Sequence, residues 1–115
     1  MIGLAKAYAA TAPSAGFSAF SFPTSLSVSG PPGSLTTPQT TVNVNGGVEP
    51  YVYSWIKLSG ANVTVSDSAS NTVSFSASGS NGLELNAVYQ CTITDDALSV
   101  LTVEASSNFQ FGTPL

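Results

Sequence analysis

The chain has 115 residues, the length of one domain with a short extension, and its 43% hydrophobic content can fill a core without metals or several disulfides. Only 7% of residues are charged while serine and threonine supply roughly a quarter, so hydroxyl groups rather than ions carry its solubility. Lys6 and Lys57 are the only cations beside six carboxylates, and with no arginine, no histidine and a net charge of −4 the chain offers no surface that neutralises phosphates, which excludes nucleic-acid binding.

Residues 1–23 are rich in Ala, Ser and Phe, and Pro13 and Pro23 prevent one continuous helix. This segment reads as an N-terminal arm. A secretory signal is not expected there, because Lys6 interrupts a short apolar run and Pro13 and Gly16 follow soon after; no window approaches the length of a membrane-spanning helix. From Thr24 to Ala105 the texture is β, with short runs of Val, Thr, Phe and Tyr separated by turn clusters about ten residues apart. A first strand fits Ser25 to Ser29 and stops at Gly30-Pro31-Pro32-Gly33. A second fits Thr40 to Asn45, with Val42 and Val44 inward, and stops at Gly46-Gly47.

The third predicted strand, YVYSWIKL, puts Tyr51, Tyr53 and Trp55 on one face. Asn62 to Ser66 is a short edge strand, Val73, Phe75 and Ala77 form the next inward row, and Glu84 to Thr94 follows as a long strand. There Ala87, Tyr89, Cys91 and Ile93 share an apolar face opposite Val88, Gln90, Thr92 and Thr94. Asp95-Asp96-Ala97 turns the chain into a last strand, about Leu98 to Ala105, with Leu101 and Val103 inward. Residues 106–115 read as a C-terminal tail.

Chemistry is sparse. Cys91 is the only cysteine, so no internal disulfide forms, and its place in an apolar row makes it a core thiol rather than a metal ligand or nucleophile. Glu49, Asp95 and Asp96 fall in two loops at one end of the fold, where three carboxylates could converge on Ca²⁺; turn chemistry alone also favours Asp-Asp at a hairpin. Tyr51, near a strand end, is the aromatic ring best placed to stack on a sugar, although packing explains Tyr53 and Trp55. The sequon Asn62-Val63-Thr64 has no role without a secretory route, and no lysine follows the glycine pairs in a phosphate-cradling arrangement. With no histidine and no opposed carboxylate pair, neither an enzyme nor a cofactor is expected.

The block GGVEPYVYSW, followed by KLSG, TVSFSA and AVYQCTITD, resembles the immunoglobulin-like and PKD-like domains common in bacteriophage virion proteins and bacterial surface proteins. The resemblance covers residues 24–105. It implies an all-β, two-sheet antiparallel sandwich of seven or eight strands, with Trp55 as the core tryptophan and Tyr89, two residues before Cys91, as a tyrosine corner bonded back to the preceding loop. Val42 or Val44 takes the place of the second cysteine of a true immunoglobulin domain, whose bridge contributes roughly 2–4 kcal/mol. Its loss suits assembly in a reducing bacterial cytoplasm.

The remaining feature is phenylalanine outside the predicted body: Phe17, Phe20 and Phe22 in the arm, Phe109 and Phe111 in the tail. Burying three of them yields on the order of 5–9 kcal/mol. Ordering some twenty arm residues costs about 20 kcal/mol or more, so the arm needs backbone pairing too, onto its own edge strand or onto a neighbour. Phe22 and Phe109 are expected to pack on their own domain and the Phe17 to Phe20 region to reach another subunit. The expectation is a non-enzymatic structural protein of a phage particle, a capsid decoration or tail-associated component located in the virion. Its terminal phenylalanines contact capsid or tail subunits or a second copy. The alternative is a module adhering to host-surface glycans through Tyr51, Asp95 and Asp96.

Overall fold

The computed structural model describes residues 16–60 and 62–112, and among them the chain is all β, without a helix. Its strands are β1 (Ser18–Phe22), β2 (Ser25–Gly30), β3 (Gly33–Thr36), β4 (Thr40–Asn45), β5 (Val52–Gly60), β6 (Thr64–Val65), β7 (Thr72–Val73), β8 (Phe75–Gly79), β9 (Glu84–Thr94) and β10 (Val100–Phe111). One sheet has the order β2-β10-β9-β5, with β2 parallel to β10 and the other neighbours antiparallel. The other two, β1-β4-β7 and β3-β8-β6, are wholly antiparallel.

These last two sheets meet through a short irregularity. Only Thr37 to Gln39 separate β3 from β4 and only Ser74 separates β7 from β8, and between the flanking pairs Thr36↔Ser76 and Thr40↔Val73 the register shifts by one residue, as at a β-bulge. Thr37 bridges the break: its N–H donates to Phe75 O at 2.9 Å, and its Oγ1 accepts from Phe75 N–H at 3.1 Å. Buried Thr40 donates through Oγ1 to Pro23 O at 2.7 Å. No buried side-chain polar atom among the described residues lacks a partner, as a stable core requires.

The inward rows predicted from alternation fill the core. Val42, Trp55, Val73, Phe75, Ala77, Ala87, Tyr89, Cys91 and Ile93 are all buried. Trp55 meets Phe75 edge-on with ring centroids 6.1 Å apart, and Phe75 meets Tyr89 at 4.9 Å. Such ring pairs add about 0.5–1.5 kcal/mol each beyond area burial. Trp55 Nε1 donates to Ser70 O at 2.8 Å, and Tyr89 donates its hydroxyl to Val63 O at 2.7 Å. The corner tyrosine therefore ties β9 to the segment before β6, not to the loop immediately preceding its own strand.

Three expectations need correction. The sheet count differs from a two-sheet sandwich of seven or eight strands: the described residues form ten strands in three sheets, partly because the interruptions at Thr37 to Gln39 and Ser74 divide two long strands. The segments read as arm and tail carry paired structure, and the tail's start at 106 falls inside β10. Residues 18–22 form β1 on β4, and residues 106–110 of β10 pair with both β2 and β9, with Phe111 continuing the β2 ladder. Ladder hydrogen bonding supplies the backbone pairing that ordering these residues demands. Finally, Leu98 and Ser99 belong to the turn, and β10 starts at Val100.

Candidate functional site

The five terminal phenylalanines divide sharply. Phe17, Phe109 and Phe111 are buried in the domain's own core, so they are withdrawn from any partner surface. Phe109 and Phe111, two apart on β10, share its inward face. Phe20 and Phe22 are 53% and 70% exposed, on the outward face of β1 beside Asn43 and Thr41 of β4. The expected burial of Phe17 and Phe22 is thus reversed. Along β1 the small residues Ala19 and Ser21 point in, and Ser21 is buried with its hydroxyl donating to Glu104 O at 2.8 Å. β1 lies at the border of its sheet, so both aromatic rings sit at a sheet edge.

The loop end beside the start of β1 is built around Asp95, whose carboxylate accepts three backbone amides. Oδ2 takes Val48 N–H at 3.0 Å; Oδ1 takes Ala97 N–H at 3.1 Å and Ser99 N–H at 2.8 Å. Asp96 N–H donates in turn to Val48 O at 2.8 Å, which zips the 46–51 loop to the β9-β10 turn. Gly46 and Gly47 have φ of 71° and 73°, a left-handed pair that admits glycine readily. A Cβ on Gly46 would run into the Gly16 carbonyl, and one on Gly47 would lie 2.7 Å from the Phe17 ring. Against this turn Phe17 and Tyr51 stack with centroids 6.2 Å apart, and the Tyr51 hydroxyl donates to Gly46 O at 2.6 Å.

This geometry gives two of the predicted sites other tasks. Glu49, Asp95 and Asp96 do not converge: Asp95 is buried and turned onto the amides, whereas Glu49 and Asp96 are exposed. Among the described residues no three acidic, cysteine or histidine side chains gather to hold a metal ion. Tyr51 clamps its own loop, with Phe17 stacked against its ring and its hydroxyl engaged.

Cys91 is fully buried between β5 and β10, opposite Trp55 and Val103 in register. Burial pushes its thiol up to about 11, only partly offset by a hydrogen bond with the Ser54 backbone. A thiol held protonated in this way is a poor nucleophile at neutral pH. Burial also raises the phenols of Tyr53 and Tyr89 above their ordinary value.

Two surface concavities among the described residues are shallow and chemically poor. One of about 360 Å³ lies between Asn81 to Glu84 and Gln110 to Gly112, with Glu84 its single ionisable side chain. Another of about 390 Å³ crosses the outer face of β3, β8 and β6 and is lined by Ser34, Asn62, Thr64, Ser76, Ala77 and Ser78, none ionisable.

Sequence reasoning missed one surface feature. Val48, Val52, Leu98 and Val100 are all exposed at the loop end, and Leu98, 68% exposed, has a φ of 66°. Its position directly after Asp-Asp-Ala was the available signal, since three-residue hairpin loops commonly close on a left-handed residue. No protein-family model matches this chain, and no curated protein matches it significantly.

Proposed function

We propose that this chain is a non-enzymatic structural component of a phage particle, an immunoglobulin-like domain held on capsid or tail subunits by its N-terminal edge. Taken through its two interruptions, the order β1-β4-β7 with β3-β8-β6 reads as one layer, facing β2-β10-β9-β5 across the Trp55, Phe75 and Tyr89 core. Cys91 stands in the row where such domains carry half of a disulfide, and as a lone buried thiol it suits assembly in a reducing cytoplasm.

The observation that carries the reading is the pair Phe20 and Phe22, presented side by side on a border strand where they lie outside the core. An exposed aromatic pair on a strand whose outer side is unpaired among the described residues is suited to docking by strand addition plus apolar burial. Repeated over many copies in a symmetric lattice, a modest contact of this kind gives firm attachment through avidity. Mass spectrometry of purified particles tests the reading. The chain is expected in infectious virions at a stoichiometry that fits the particle's symmetry, and its absence from them would end the proposal.

A further inference from the structure

We propose that the β9-β10 turn is a second docking tip, in which Leu98 enters an apolar socket on a protein partner whose rim carries Lys or Arg. This inference is independent of the Phe20 and Phe22 edge and stands whether or not the partner belongs to a particle.

The turn is closed by backbone hydrogen bonds and strained at one residue. Asp95 N–H donates to Ser99 O and Leu98 N–H donates to Asp95 O, both at 3.0 Å, closing a three-residue loop in which Leu98 has a φ of 66°. Glycine or asparagine adopts that conformation with little penalty, whereas leucine is strained by its Cβ. An inward side chain could offset the strain by packing, but Leu98 is 68% exposed. The fold thus gains little from leucine at this position and would be better served by glycine. Strain maintained without a packing return is characteristic of positions that serve recognition.

The neighbours extend the apolar surface. Val52 and Val100 flank Thr94 in register on the outer face of the sheet, and both are exposed. Val48, also exposed, is fixed to the turn by its two hydrogen bonds with Asp95 and Asp96. The tip is therefore preorganised, which lowers the entropy cost of binding.

Charge decides the occupant. The exposed carboxylates of Glu49 and Asp96 frame the patch, and Lys57 lies well along β5, paired with Tyr89. A second copy meeting this end symmetrically would set those carboxylates against their own kind, with only two lysines in the chain to relieve a net charge of −4. An anionic bilayer is repelled for the same reason. A basic rim around an apolar socket complements the tip in both sign and polarity.

Two experiments decide the matter. Leu98→Gly should raise the thermal midpoint by several degrees, as relief of left-handed strain does; a lowered midpoint would mean that the leucine serves the fold and would overturn the proposal. Benzoylphenylalanine introduced at position 98, with position 102 on the exposed face of β10 as control, should photo-crosslink in producing cells to one protein. The adduct peptide should contain apolar residues with Lys or Arg, and Glu49→Lys with Asp96→Lys should cut the yield at least tenfold. Adducts to a second copy or to lipid, no adduct specific to position 98, or a yield indifferent to the two lysines would each refute it.

Discussion

Replacing Asp95 tests how the loop end is built. Its carboxylate accepts amides from Val48, Ala97 and Ser99 at 3.0, 3.1 and 2.8 Å, and the residue is 2% exposed, so solvent cannot readily replace what is removed. Hydrogen bonds to a charged acceptor contribute about 1.5–3 kcal/mol each. Part of that sum is offset because alanine also removes a carboxylate that was costly to bury, which leaves a net loss of about 3–4 kcal/mol for Asp95→Ala. Asp95→Asn separates the contributions. Its remaining oxygen still serves Ala97 and Ser99, while its amide sets a donor against Val48 N–H, a loss of about 1.5–3 kcal/mol. Urea unfolding followed by the fluorescence of the single tryptophan, buried Trp55, reads both values. Millimolar calcium should shift neither the wild-type nor the variant midpoint. A loss under about 1 kcal/mol for alanine, or an asparagine variant as unstable as alanine, would refute the three-amide account.

Other consequences can be checked separately. Tyr89→Phe leaves the Val63 carbonyl without its 2.7 Å donor in a buried setting and should lower stability by about 1–3 kcal/mol with an unchanged denaturant slope. Cys91 should resist thiol reagents in the native state. Folding holds its proton up to about pH 11 whereas the unfolded thiol releases it near 9, so unfolding sheds a proton in that window and stability falls as pH rises through it. The loss reaches roughly 2–3 kcal/mol, and Cys91→Ala should flatten that slope, leaving the tyrosine contribution. Phe20→Ser with Phe22→Ser should leave the urea midpoint close to wild type, since both side chains lie outside the core.

Much of the fold was legible because alternation is strict where one strand face is buried. Glu84 to Thr94 was read with the same limits as β9, and its inward row Ala87, Tyr89, Cys91 and Ile93 is the buried row. β1 escaped because SAFSF inverts the usual pattern, small residues facing in and phenylalanines facing out, so hydrophobicity gives the wrong face. β3 was hidden by the Gly-Pro-Pro-Gly turn directly before Ser34. The calcium site failed for a related reason: spacing brings Glu49, Asp95 and Asp96 to the same end but cannot tell that Asp95 turns inward to its own loop amides. Likewise a list of terminal phenylalanines cannot separate the three that complete the core from the two left on the surface.

Attachment to a particle through Phe20 and Phe22 is the proposal on which the functional reading depends. Co-expression of wild-type chain with the Phe20→Ser, Phe22→Ser variant, followed by quantitative mass spectrometry of the two distinguishable peptides in purified particles and in the lysate, is the decisive measurement. The variant should accumulate folded in the lysate and be depleted at least tenfold from particles, whereas equal incorporation of the two chains would rule the proposed attachment out.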